Sequence, residues 1–70
     1  MMYKRIRDLR EDRGFTQTAI GKAINVTQRT YSYYETGQRM IPPEVLSRLA
    51  KFHNVSVDYL LGDTDNPRRY

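Results

Sequence analysis

No cysteine occurs in the chain, and for a sequence of 70 residues that is the tightest constraint on how it can fold. A domain this small buries little surface, and many of its size are held by disulfides or thiolate-bound metal. Both devices are excluded here. What remains is economical packing, most simply of helices joined by short connections. The lack of thiols fits a reducing cytosol. No apolar run approaches the roughly 20 residues that span a bilayer. The opening "MMYKRIRDLRED" alternates charge with apolar residues and has no apolar core of a signal peptide. Together these features predict a soluble, cytoplasmic, one-domain protein with no membrane partner.

Apolar spacing and capping residues divide the chain into five helical segments. Ile6, Leu9 and Arg13 share helical spacing, and Gly14 ends a first helix over about Tyr3 to Arg13. Thr16 is an N-cap by its hydroxyl. A second helix runs from there to about Ile24, with Ala19, Ile20, Ala23 and Ile24 on one face. Asn25 suits the left-handed conformation of a tight turn. Thr27 is the next N-cap, for a helix from Gln28 to about Thr36 closed by Gly37. "QRMIPP" is a loop, and Pro43 fits the first turn of a fourth helix. Val45, Leu46, Leu49, Ala50 and His53 give that helix its buried stripe. Asn54 ends it, Ser56 caps "VDYLL", and Gly62 stops the fifth helix. Residues 63–70, "DTDNPRRY", form a polar C-terminal tail that is expected to be loose. With no strand alternation or repeat, the fold class is all-α.

The formal charge is +4 and the pI about 9.7, a balance that attracts polyanions. Its distribution says more. Between Thr16 and Arg39 the sole acid is Glu35, set against Lys22, Arg29 and Arg39. The same region holds "TYSYYE", three tyrosines within four residues. At about 100° per residue, Tyr31 and Tyr34 lie roughly 60° apart on one face. Arg29, Ser32, Tyr33 and Thr36 occupy the opposite one. Two rings therefore point inward, and Tyr33 points out.

The outer face of the third helix thus carries Arg29, Ser32 and Tyr33, with Gln28 beside them. Arginine can pair with guanine O6 and N7, and glutamine with adenine N6 and N7. An ordinary solvated polar face is the alternative. Two short helices separated by about three residues make a helix-turn-helix pattern. Gly21 lies mid-helix, where glycine costs about 1 kcal/mol relative to alanine, and close approach of the second and third helices would explain it. Gln17, in the first turn of the second helix, suits either a phosphate contact or solvent.

The ordered run TQ, VTQ, YE-x-G, IP, LA, NVS and DYLLG over about residues 3–62 resembles the phage-repressor and Cro-type helix-turn-helix family, often called the XRE family. The resemblance implies a five-helix, lambda-repressor-like domain that binds double-stranded operator DNA, usually as a homodimer on a palindromic site. It implies that Gln28, Arg29 and Tyr33 read bases, with Ser32 flanking them. Gln17, Thr27, Lys22 and Arg39 would then hold the DNA backbone, and Arg10 and Glu35 would pair to tie the first helix to the third. The sequence departs from the family pattern at Ala19, where glutamate is common, at Asn25, where glycine is usual, and at Tyr31, where an aliphatic residue is common.

Tyr59, Leu61 and Phe52 are candidates for contact with a second copy, or else form the rim of the core. His53, the single histidine, has no cysteine, second histidine or acid cluster near it in sequence and is expected to be a packed helix-end residue. Asp8, Glu11 and Asp12 read as a solvated charge pattern. With no phosphate loop, dinucleotide glycine motif or nucleophile elbow, neither enzymatic activity nor a cofactor is expected. The expected function is a small transcriptional repressor. The rival is an antitoxin- or adaptor-type module that uses the same fold to bind a toxin or antagonist protein. RNA binding is disfavoured, since two of the three clustered rings turn inward.

Overall fold

A computed structural model describes residues 3–68. Five helices follow one another as α1 (Lys4–Asp12), α2 (Gln17–Ala23), α3 (Gln28–Thr36), α4 (Pro43–His53) and α5 (Val57–Leu61), with no strand among the described residues. Their starts follow side-chain chemistry. Thr16, Thr27 and Ser56 each accept a hydrogen bond from the N–H three residues on, satisfying a donor that the helix cannot. Pro43 sits in the first turn of α4, where its missing N–H costs nothing. Among the described residues, no helix is long and apolar enough to cross a membrane.

The α2–α3 corner depends on two backbone features. Asn25 adopts φ 64°, the left-handed conformation that reverses the chain. Val26 N–H then donates to the Gly21 carbonyl at 2.8 Å. A Cβ on Gly21 would stand 2.9 Å from the Val26 carbonyl oxygen, closer than side chains tolerate. The close approach is therefore made between α2 and the turn backbone itself. It explains a glycine in a helix interior.

Ile6 of α1, Ile20 of α2 with its C-cap Ile24, Tyr31 of α3, Leu49 of α4 and Leu60 of α5 are fully buried, so every helix contributes to one core. Tyr31 and Tyr34 both point inward, and Tyr31 fits without exposure. Two expectations need correction. Ala19 and Ala23 are exposed, because the core lies along the Ile20–Ile24 line and their positions are rotated about 100° from it. Arg13 does not join the apolar face of α1. It is exposed and donates from its guanidinium to the His53 carbonyl at 2.7 Å, satisfying an orphan acceptor at the end of α4.

The tail, too, is held over its described part. Arg5 donates to the carbonyls of Tyr59 and Thr64, pairs with Asp65, and lies over the Tyr59 ring at 4.1 Å. Ser56 N–H donates to the Pro67 carbonyl at 3.0 Å. A polar composition predicts looseness only when no partner waits, and here α1 supplies one. Residues 69 and 70 lie outside the described part.

His53 is fully buried, and neither ring nitrogen has a hydrogen-bond partner within the structure. Burial, aided by the charge of Arg13, pushes its pKa down to about 4, from an ordinary 6.5. The fold therefore needs the neutral ring. In the unfolded chain the ring takes up a proton near pH 6.5, so the unfolded state binds more protons between that pH and about 4. This contribution to stability is complete above pH 6.5 and declines as pH falls, with a limiting slope of about 1.4 kcal/mol per pH unit. Urea unfolding of His53→Leu is expected to show a flatter stability profile than the parent between pH 6.5 and 4.5. Parallel profiles would contradict a buried neutral imidazole.

Candidate nucleic-acid interface

The base of the site is a carboxylate. Glu35 lies on the inner side of α3 with its side chain 4% exposed, and Arg10 reaches it from α1 with 17% exposure. Arg10 Nε donates to Glu35 Oε2 at 2.6 Å and Arg10 Nη2 to Oε1 at 3.1 Å, a two-pronged pairing that suits guanidinium geometry. The remaining Arg10 nitrogen donates to the Phe15 carbonyl at 3.1 Å, in the link between α1 and α2. Burial alone would push the Glu35 carboxyl up. Hydrogen bonds from Arg10, Tyr31 and Gln17, with the Arg10 charge, hold it below the usual carboxylate range instead. The same carboxylate adds to burial in raising the Tyr31 hydroxyl pKa. That hydroxyl also reaches the Ile6 carbonyl at 3.5 Å.

From Glu35 the network runs outward. Gln17 Nε2 donates to Glu35 Oε1 at 3.2 Å, and Gln28 Nε2 donates to Gln17 Oε1 at 2.7 Å. A buried acid is thus joined through a half-buried amide to an exposed amide at the start of α3. Each glutamine retains one N–H, and Gln28 keeps its carbonyl oxygen, for use outside the fold.

Four further residues of the expected site lie on α3 or in the loop that follows it. Arg29 is exposed and has no ion-pair partner among the described residues. Ser32 and Tyr33 are half-buried, and Arg39 lies over the Tyr33 ring with its guanidinium carbon 5.2 Å from the centroid. Lys22 stands apart from them. It lines a shallow depression at the corner, with Gly21, Asn25, Val26, Thr27 and Thr30. Thr27 is engaged internally, since its hydroxyl accepts from Thr30 N–H at 3.1 Å and donates to the Thr30 hydroxyl at 2.9 Å.

The sequence pattern missed several supports. Arg48 of α4 donates to the Ile24 carbonyl at 3.2 Å, closing the C-terminal end of α2 beside the corner. Tyr3 is buried, and its hydroxyl accepts from Ile41 N–H at 3.2 Å, fixing the loop that follows α3. Neither contact leaves a spacing signal, because the partners lie 24 and 38 residues apart in sequence. Among the described residues, no group of three or more potential metal ligands gathers.

The fold and these positions can be set beside known proteins. A family model described as Helix-turn-helix matches residues 6–60. The chain is 36% identical over 67 residues to the uncharacterized HTH-type transcriptional regulator YobD of Bacillus subtilis strain 168, covering 96% of this chain and 60% of that protein. It is 35% identical over 65 residues to the cryptic phage CTXphi transcriptional repressor RstR of Vibrio cholerae, covering 93% and 59%. The chain thus spans about three-fifths of the length of these curated relatives. A crystal structure of the P22 c2 repressor protein in complex with synthetic operator 9T superposes with a TM-score of 0.84 at 33% identity, covering 91% of this chain and 97% of that one.

Breaking the buried pair from one side should be costly, since an uncompensated charge remains behind. Glu35→Gln is expected to lose roughly 3–5 kcal/mol of unfolding free energy in urea. A change within about 0.5 kcal/mol would contradict a largely buried ion pair.

Proposed function

The chain belongs to the phage-repressor type of the helix-turn-helix family, and from that premise we propose that it is a small transcriptional regulator that binds double-stranded DNA sequence-specifically and represses from an operator. The observation that carries this reading is the outer face of α3. Arg29 has no ion-pair partner there among the described residues, Gln28 is held in place by the relay from Glu35, and residues 16–34 contain no acid. A major groove about 12 Å wide admits such a helix. Arg29 is suited to guanine O6 and N7. Gln28 keeps a carbonyl oxygen and one N–H, the two groups that pair with adenine N6 and N7. Tyr33, one turn beyond Arg29, meets a base edge or a thymine methyl, with Ser32 beside it.

Gln17, Thr27, Lys22 and Arg39 flank this face and serve the phosphates, which position a protein on the duplex without reading sequence. The naming of relatives as transcriptional regulators and a repressor, and the operator-bound state of the similar solved structure, support the same role. The work of such a regulator lies in the cytoplasm, where operator DNA is found.

The size of the domain supports a homodimer. The domain's longest extent is 29 Å, whereas successive major-groove faces on one side of a duplex lie about 34 Å apart. One copy therefore covers one half-site, and a two-fold pair is needed for a palindrome. Leu61, 40% exposed at the end of α5, is an apolar candidate for contact with a second copy. Tyr59 lies under Arg5, and Phe52 packs edge-on against Phe15 at 5.1 Å, so both are already partly covered.

Selection from a randomised duplex pool tests the proposal. The parent is expected to enrich a two-fold symmetric site, with a log–log salt slope of about −4 to −5 if about five phosphates are neutralised. Arg29→Ala should lose about 1–3 kcal/mol of preference at particular guanines. Retention of duplex without any enriched motif would contradict sequence-specific reading and leave only charge attraction.

A further inference from the structure

We infer that Arg39 is a positioning residue for base recognition: by stacking on Tyr33 it sets the orientation in which that ring meets a base pair, in addition to any phosphate contact it makes. The inference rests on the DNA-reading role proposed for α3, and it deepens that role. Its first support is the stack itself, with the Arg39 guanidinium carbon 5.2 Å from the Tyr33 centroid. A cation over a ring face is held by the ring's quadrupole.

The second support is the backbone. Gly37 takes φ 81° and turns the chain back along α3. The N–H groups of Gln38 and Arg39 then point to the Tyr33 carbonyl at 3.0 and 3.4 Å, and the Thr36 hydroxyl donates to the same oxygen at 3.2 Å. Arg39 is therefore tied to Tyr33 twice, by its main chain and by its side chain. Beyond it, Ile41 is buried and its N–H is held by the Tyr3 hydroxyl. The segment carrying Arg39 is fixed at both ends, so the stack needs little further ordering when DNA arrives.

Tyr33 has one other arginine nearby on its face, Arg29, four residues earlier. No stack of Arg29 on that ring occurs in the described residues, so the two arginines divide their work. Arg29 stays free for a base edge, and Arg39 steadies the ring beside it.

A phosphate clamp and a positioning residue differ in what their loss does. Losing a clamp weakens all duplexes alike and reduces the salt slope by about one. Losing a positioning contact also flattens preference at the base pairs that Tyr33 meets. The experiment is duplex selection with the parent, Arg39→Ala, Tyr33→Ala and the double variant, with preference read position by position. The expected result is that Arg39→Ala lowers discrimination about two- to fivefold at the same positions as Tyr33→Ala, the range an exposed cation–π contact supports. The double variant should lose little more at those positions than Tyr33→Ala alone. Uniform weakening with unchanged preferences would overturn the inference while leaving the DNA-reading role intact. A parent that enriches no motif would remove that role and the inference with it. A DNA-free readout is the Arg39 side-chain proton shifts, which should move upfield in the ring current of Tyr33 and revert in Tyr33→Leu. Random-coil shifts in the parent would overturn the stack itself.

Discussion

A carboxylate buried within a basic domain organises both halves of this molecule. Glu35 holds α3 to α1 through Arg10, and through Gln17 it reaches the N-terminal end of α2 and then Gln28. Desolvating a carboxylate is unfavourable by several kcal/mol, and the structure offsets this with donors from Arg10 of α1 and Gln17 of α2. The arrangement gives specificity of orientation as well as cohesion. A helix tied at its inner face by a two-pronged ion pair has little freedom to rotate about its axis. Rotation would carry Arg29 and Gln28 away from a shared outer direction.

Arginine serves the remainder of the fold in a second way. Arg5, Arg13 and Arg48 each donate to a carbonyl at the C-terminal end of another helix, those of α5, α4 and α2 respectively. These ends expose acceptors that have no partner within the helix and that carry partial negative charge. Such contacts stitch short helices together without any large apolar interface, which matters in a domain with no disulfide and a modest core. Arg5, Arg7 and Arg10 pair with acids, whereas Lys22, Arg29 and Arg39, around the corner and outer face of α3, have no ion-pair partner among the described residues.

Much of this was legible in the sequence because it is local. Thr16, Thr27 and Ser56 cap within three residues, Asn25 and Gly37 announce left-handed backbone, and a 3.6-residue period sorts Tyr31 and Tyr34 from Tyr33. Ala19 and Ala23 were misplaced because alanine is small enough for either side of a helix and carries little directional signal. The helix-end contacts of Arg5, Arg13 and Arg48, and the pinning of the loop by Tyr3, were not legible. Each joins a side chain to a backbone atom distant in sequence, which no spacing rule records. The Gln28–Gln17–Glu35 relay falls between these cases. Its members stand in the family pattern, but that they form one connected chain appears only when the helices are packed.

Through Gln17 the buried carboxylate presets Gln28 on the face proposed to read bases. The measurement that tests this is the ratio of affinities of Gln17→Leu and the parent for the preferred duplex and for duplexes changed at one adenine. A ratio cancels any phosphate contact, because that loss acts equally on every duplex. Gln17→Leu is expected to keep its fold and to lose discrimination at the adenine proposed for Gln28, by about tenfold or about 1.4 kcal/mol, within the range of one base pairing. Unchanged discrimination at every position, with only a uniform fall in affinity, would contradict it.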